Sequence, residues 1–306
     1  MHKRQFLKLA SLGLLTPLLT HAKILPAVSY KSIPSSGERI PLIGMGSFVN
    51  FNFFADEKTV QQRTNLLRDF FTLGGQMIDS SPMYGAAEKN LGLCLKELQK
   101  LGIDPREKLL ATSKVWTSSV DDGPDEIATS RALWQIDQFD ILQVHNLLSW
   151  EGHLETLLEM KAEGRLRYVG ITTSHGRRHG ELEKIMRTQP IDFIQATYNM
   201  ADRALEQRIL PVAAEQGIAV IINRPFQRGE LVDWAKKKPL PGFAAEIDCD
   251  NWATFLLKFI VSHPAVTCAI PATTRHDHLA ENMQAMQGVL PDAAMRQKML
   301  NYFAGL

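Results

Sequence analysis

Eight times along this chain a short, almost continuously apolar run gives way to a longer amphipathic one. The short runs are LIGM (42–45), QMID (76–79), LLATSKV (109–115), FDILQVH (139–145), YVGITTS (168–174), DFIQATY (192–198), IAVIINRPF (218–226) and VTCAIPATT (266–274). They are rich in β-branched residues and barely alternate with polar ones, as strands buried on both faces do. The long runs, at 57–73, 87–100, 123–136, 150–163, 178–188, 204–216, 251–262 and 276–287, carry helical spacing. Gly74-Gly75, Gly102, Gly164 and Gly217 stand where those helices should stop, and Asp56 and Asp202 near where two should start. Eight such units in about 250 residues predict a closed parallel (β/α)8 barrel. A doubly wound sheet is the alternative. It needs a glycine-rich phosphate loop after its first strand, and Gly44-Met45-Gly46-Ser47-Phe48 lacks the third glycine and the acid about 20 residues on. Upstream, SYKSIPSSGERIPL (29–42) reads as a β-hairpin turning at Ser35-Ser36-Gly37, placed to close the barrel's bottom.

Residues 1–22 stand apart. A basic MHKRQFLK precedes an apolar stretch too short to span a bilayer, and Thr20-His21-Ala22 offers small residues for cleavage. Lys3-Arg4-Gln5-Phe6-Leu7-Lys8 resembles a twin-arginine export signal with lysine in the first arginine's place. The expectation is a signal peptide cleaved near Ala22, engagement with export machinery, a periplasmic location, and one barrel domain over 23–306 with no membrane span. The formal net charge is +1, and the leader takes three basic and no acidic residues with it. That leaves no electrostatic footprint for nucleic acid. Cys94, Cys249 and Cys268 form no disulfide framework: in a barrel the last two lie at opposite ends of a helix, about 18 Å apart. No Cys/His cluster has metal-ligand spacing, and His175 and His179 read as exposed loop residues.

In such barrels the working residues sit at the C-terminal ends of the strands. Asp79 ends the second run, Tyr84 follows it, Lys114 ends the third and His145 the fourth. Each has an ordinary structural reading as helix cap, packing group, solvated charge or core histidine. Their convergence at successive strand ends makes chance a poor account of all four.

The stretches IDSSPMYG (78–85), SKVW (113–116), QVHN (143–146), GRLRYVGIT (164–172), IDFIQATYN (191–199) and AIPATTRHDHLAEN (269–282) resemble the aldo-keto reductases, in that family's order. The resemblance implies NAD(P)H-dependent reduction of a small aldehyde or ketone. It makes Tyr84 the proton donor and His145 a hydrogen-bond donor that orients the substrate oxygen. A free phenol has a pKa of about 10, so the Lys114 ammonium is expected to lower it, with Asp79 keeping the lysine charged. Gln195 matches a glutamine that meets the nicotinamide amide, and Thr172-Thr173 replace a Ser-Asn pair with the same duty. Asn223 stands where a stacking tyrosine is usual, and Arg224 beside it can either stack or pair with the pyrophosphate. Thr273, Arg275, His278 and Asn282 fall in the adenosine-phosphate segment, and Arg275 favours NADP over NAD. Phe48 and Trp116 take the places of aromatic pocket walls, with Phe53, Phe54 and Trp150 as further candidates. The other function class is a regulatory or accessory module that binds the nucleotide without turnover. A non-redox barrel enzyme would need metal ligands or a phosphate loop that the sequence does not offer.

Overall fold

A computed structural model describes residues 28–306, so the leader expected at 1–22 lies outside the described residues. Strands β1 (Tyr30–Ser32) and β2 (Arg39–Pro41) pair antiparallel as the hairpin. The barrel strands are β3 (Met45–Gly46), β4 (Met77–Asp79), β5 (Leu110–Val115), β6 (Ile141–Val144), β7 (Tyr168–Thr172), β8 (Phe193–Thr197), β9 (Ala219–Asn223) and β10 (Cys268–Ala269). They form one parallel sheet in chain order. Around it run α1 (Glu57–Thr72), α2 (Ala87–Lys100), α3 (Gly123–Trp134), α4 (Trp150–Ala162), α5 (His179–Thr188), α6 (Ile209–Gln216), α7 (Glu230–Ala235), α8 (Trp252–Val261), α9 (His276–Gln284) and α10 (Ala293–Ala304). This is the expected (β/α)8 barrel. Helices α7 and α10 are additions that the sequence did not predict.

The barrel closes where its first and last strands meet. Gly44 N donates to Ala269 O at 2.9 Å and Gly46 N to Pro271 O at 3.1 Å. A Cβ on Gly44 would sit 2.9 Å from Met77 O, closer than a side chain can tolerate. The Gly44-Met45-Gly46 run therefore serves a close backbone seam. The bottom is plugged as expected: Ile33 and Ile40 of the hairpin pack with Met77, Leu110, Ile141, Tyr168, Phe193 and Ala219 from the starts of the strands. Above that plug the barrel interior turns polar, which is where the chemistry is placed.

Local signals explain the wheel of helices. Asp56 caps α1 by accepting the Thr59 amide at 3.0 Å, and Asp202 accepts the Ala204 amide at 3.4 Å to start a short 3-10 turn. Helices α1, α2, α4 and α6 end where their glycines stand. The three cysteines are free and buried, as expected from their separation.

Candidate active site

The chain delivers its polar groups to one rim. Asp79 is the last residue of β4, and Ser81 follows and caps a 3-10 turn, Pro82–Tyr84, by accepting the Met83 amide at 3.2 Å. Gly85 then takes a φ of +61°, and a side chain there would collide with Asn52. That turn swings Tyr84 back over the barrel mouth. Lys114, next to last in β5, reaches across to Asp79 Oδ2 at 2.7 Å and to the Ser80 carbonyl at 2.7 Å. Both side chains of this ion pair are essentially fully buried. The ammonium lies 5.3 Å from the centroid of the Tyr84 ring, and the His145 ring packs edge-on at 5.7 Å.

His145 does not extend its strand. β6 stops at Val144, and His145 opens a 3-10 turn in which Asn146 and Leu147 have φ of 53° and 55°. A left-handed leucine is strained. The Arg178 guanidinium holds this turn, donating to Asn146 O at 2.8 Å and Leu147 O at 3.0 Å.

The electrostatics differ in one respect from the sequence reading. Burial works against the charge on Lys114, but Asp79, Tyr84 and Glu88 outweigh it, and the lysine's pKa rises above its usual value. Burial also pushes the Tyr84 phenol up. Lys114 pulls it down, through charge and hydrogen bonding, yet burial with the Asp79 charge prevails. The expectation that Lys114 brings this phenol below its ordinary pKa is therefore corrected. Lys114 limits a rise that burial imposes.

His145 is pushed down to about 3, by burial first and then by the Lys114 charge. Ser81 Oγ lies 2.7 Å from its Nδ1. That oxygen accepts the Met83 amide through one lone pair and can give its own proton to Nδ1. The neutral ring then carries its hydrogen on Nε2, free to donate. A pH dependence follows. Between about pH 6.5 and 3 the unfolded chain takes up a proton at this ring that the folded chain refuses, so stability is full above pH 6.5 and falls as the pH drops. Urea titrations at pH 7 and 4.5 should show a His145→Asn variant losing about 2–3 kcal/mol less over that interval than the wild type. Equal losses would show that the ring titrates freely in the folded state.

The rim opens into a cavity of about 510 Å³ lined by Asp79, Tyr84 and His145 at one end and by Arg275, His278 and Asn282 at the other. Of the sequence-predicted residues, Phe48, Thr172, Thr173, Gln195, Asn223, Arg224 and Thr273 line it too. Gln195 spends its amide within the protein: Nε2 donates to Asp79 Oδ1 at 2.9 Å, and Oε1 accepts from Asn223 Nδ2 at 3.4 Å. Asn223 also donates to Thr173 O at 2.9 Å and accepts from Thr197 Oγ1 at 2.7 Å. It is a network residue, and offers no ring to stack. Thr172 Oγ1 accepts the Asn146 amide at 3.0 Å. Thr173 Oγ1 is buried with no hydrogen-bond partner. Arg275 pairs with Asp277 on the surface, so its guanidinium is already engaged.

Trp116 is not brought to the cavity wall. It is half exposed, and its amide donates to Glu126 Oε2 at 2.6 Å. Sequence reasoning missed Ser47, Asn50, His175, Arg228 and Lys236, which line the cavity. It also missed Gln143, which donates to Asp79 Oδ1 at 3.4 Å and to Thr112 Oγ1 at 3.1 Å. Gln143 was within reach, since it alternates with His145 in QVHN. Arg228 gave no such sign, because its placement depends on left-handed turns at Arg224, Gln227 and Arg228 itself. Among the described residues, neither Arg224 nor Arg228 has a carboxylate within ion-pair distance, and Arg228 lies 5.2 Å over the Phe48 ring.

The fold has solved counterparts. An aldo/keto reductase from Klebsiella pneumoniae, in complex with NADP and acetate, superposes with a TM-score of 0.72 at 20% identity, covering 87% of this chain and 93% of that one. A holo aldo-keto reductase from Bacillus halodurans gives 0.73 at 20% identity over 90% of this chain and 96% of that one. Among curated proteins, the NADH-specific methylglyoxal reductase of Escherichia coli (strain K12) is 27% identical over 56% of this chain. The matched region spans 58% of that relative. A probable aldo-keto reductase of Glycine max is 22% identical over 91% of this chain and 89% of its own length. The model of the Aldo/keto reductase family matches residues 42–298, from the seam before β3 into α10. By that match across nearly the whole barrel, the chain belongs to the aldo/keto reductase family.

Proposed function

We propose that this protein reduces an aldehyde or ketone to an alcohol with a nicotinamide nucleotide, and that Tyr84 delivers the proton. The reading is carried by the buried Lys114–Asp79 pair set beneath the Tyr84 ring at the cavity mouth. NADP is the expected nucleotide and NAD the alternative; the relatives include an NADH-specific enzyme and an NADP complex.

The cavity suits such a ligand. Thr173 lines it, and its hydroxyl is buried without a partner, which a carboxamide would satisfy. Gln195 adjoins that position. Arg224 and Arg228 bring two guanidiniums without carboxylate partners, which suits a pyrophosphate. Thr273 and Arg275 precede α9, His278 lies in its first turn and Asn282 in its last, all lining the cavity at the adenosine end.

Bound there, the nucleotide supplies a hydride to the carbonyl carbon. The residues handle the oxygen. Tyr84 OH and His145 Nε2–H donate to it as negative charge develops, and Tyr84 then gives up its proton. Lys114 compensates the phenolate that remains. Asp79 Oδ2 keeps the ammonium charged, while Gln195, Gln143 and Thr112 satisfy Oδ1 at 2.9, 3.4 and 3.5 Å.

The test is loss of the reduced-nicotinamide absorbance with a panel of aldehydes and quinones, alongside equilibrium nucleotide binding. Arg224→Gln and Arg228→Gln should each weaken nucleotide binding about tenfold or more, the worth of a charge-assisted contact. Unchanged affinity in both would remove the pyrophosphate assignment. Binding without turnover of any carbonyl would return the accessory-module reading.

A further inference from the structure

Among the described residues ten that are not glycine have left-handed backbone, and half of them lie in one small network beside His145. Asn146, Leu147 and Ser149 follow β6 with φ of 53°, 55° and 45°. His175 and Arg178 lie between β7 and α5 with φ of 61° and 58°. That conformation is costly for a residue with a side chain and persists only where its surroundings enforce it. Leu147 is the plainest case, since a buried leucine has no polar group to stabilise the left-handed form locally.

Arg178 supplies the enforcement. Its Nη1 donates to Asn146 O at 2.8 Å and to Leu147 O at 3.0 Å. Its Nε and Nη2 grip Glu181 Oε2 and Oε1, each at 2.6 Å. All three guanidinium nitrogens are engaged, in a planar fork that a lysine could not reproduce. Glu181 is anchored in turn. It stands in the first turn of α5, where a helix favours a carboxylate, and its Oε1 also accepts the Trp150 indole at 3.0 Å. Asn146 then ties the turn to the end of β7. Its amide donates to Thr172 Oγ1 at 3.0 Å, and its side-chain oxygen accepts from Ser174 Oγ at 3.3 Å. Neither Arg178 nor Glu181 lines the cavity, so they reach the chemistry only through what they hold.

We propose that Arg178 is a positioning residue for the reduction: it clamps the Asn146–Leu147 turn, and the clamped turn fixes where the His145 ring presents Nε2–H to the substrate oxygen. This rests on the reductase reading and adds to it a residue outside the cavity. Ser81 Oγ, 2.7 Å from Nδ1, restrains the ring at one atom. One such bond leaves the ring to follow its own backbone, and that backbone shifts if the left-handed Leu147 relaxes. A displacement of about 1 Å at a reacting group can cost about a hundredfold in rate.

The experiment is single turnover of bound reduced nucleotide with an aldehyde that the wild type reduces, in the wild type, Arg178→Ala, His145→Asn and the double variant. Arg178→Ala should slow hydride transfer about ten- to a hundredfold. The nucleotide Kd and the amplitude of the transient should stay as in the wild type. In the His145→Asn background the same change should cost less than about twofold, because the ring it positions is gone. A wild-type rate in Arg178→Ala overturns the inference. So does a loss confined to the amplitude, which would report unfolded protein, and so does a loss that persists undiminished without His145. Should Arg178→Ala fail to fold, Glu181→Gln decides. Its amide still accepts the Trp150 indole but can no longer accept from both Nε and Nη2 of Arg178, so hydride transfer should slow in the same sense, and an unchanged rate overturns the inference. Wild-type turnover that Arg178→Ala matches sinks this inference alone, whereas nucleotide binding with no turnover of any aldehyde by the wild type sinks the reductase reading beneath it.

Discussion

Phenylalanine in place of Tyr84 is expected to lower kcat for carbonyl reduction by about 10²–10⁴, the usual worth of one positioned proton donor. The substitution removes only the hydroxyl. The ring keeps its edge contacts with Phe48 and His145 at 5.0 and 5.7 Å, so the cavity wall and the nucleotide affinity should survive. The loss should fall on kcat and on kcat/KM alike, because the missing interaction matters only as charge develops on the oxygen. The raised pKa of the phenol sharpens the expectation. Burial keeps Tyr84 protonated through neutral pH, so the wild type always carries the proton it must give. Titration of nucleotide by fluorescence and single-turnover kinetics separate binding from chemistry. A variant retaining more than about a tenth of wild-type turnover would end the assignment of Tyr84 as donor.

The site residues that the sequence yielded share a mechanical cause. A parallel barrel strand sends its last residues to a single rim, so Asp79 and Lys114 could be placed from strand ends alone, whereas Gln195, in the middle of β8, was placed by resemblance. Strand ends are visible because runs such as FIQAT and AVIIN are buried on both faces and read as unbroken apolar blocks. The hairpin was legible for a different reason, its turn residues. Where the signal is not local, reading stopped. α10 buries only Met299 among its own residues, too thin a stripe to show periodicity. α7 has six residues and buries Leu231 and Ala235. β3 and β10 are two residues each, because the seam between them is made by bare backbone at Gly44 and Gly46.

Loop-borne residues were harder still. Arg228 and His175 reach the cavity through left-handed backbone at their own positions, and arginine or histidine gives no advance notice of that conformation. Trp116, one residue past β5, is half exposed and is not among the residues that line the cavity. The direction of the Tyr84 pKa was also beyond reach. The sequence shows that a lysine is near the phenol, but not how far burial of the phenol outweighs it.

The second large effect concerns that lysine and its partner. Asp79→Asn would leave the Lys114 ammonium buried without its counter-charge, with only neutral acceptors, the amide oxygen and the Ser80 carbonyl. Removing one member of a buried ion pair typically costs about 3–5 kcal/mol. The cost of Lys114→Met should be smaller, because Gln195, Gln143 and Thr112 still donate to Asp79. The double variant should be less destabilised than Asp79→Asn alone, since it strands no charge; the two changes are then strongly non-additive. Activity should follow a different pattern. Each single variant and the double should lose turnover to a similar degree, because each removes the charge that balances the departing proton or the group that maintains it. Urea midpoints for the four proteins, with kcat for one aldehyde, complete the cycle. Additive stability losses would mean that Asp79 and Lys114 act separately, and the proton relay through Tyr84 would lose its physical basis.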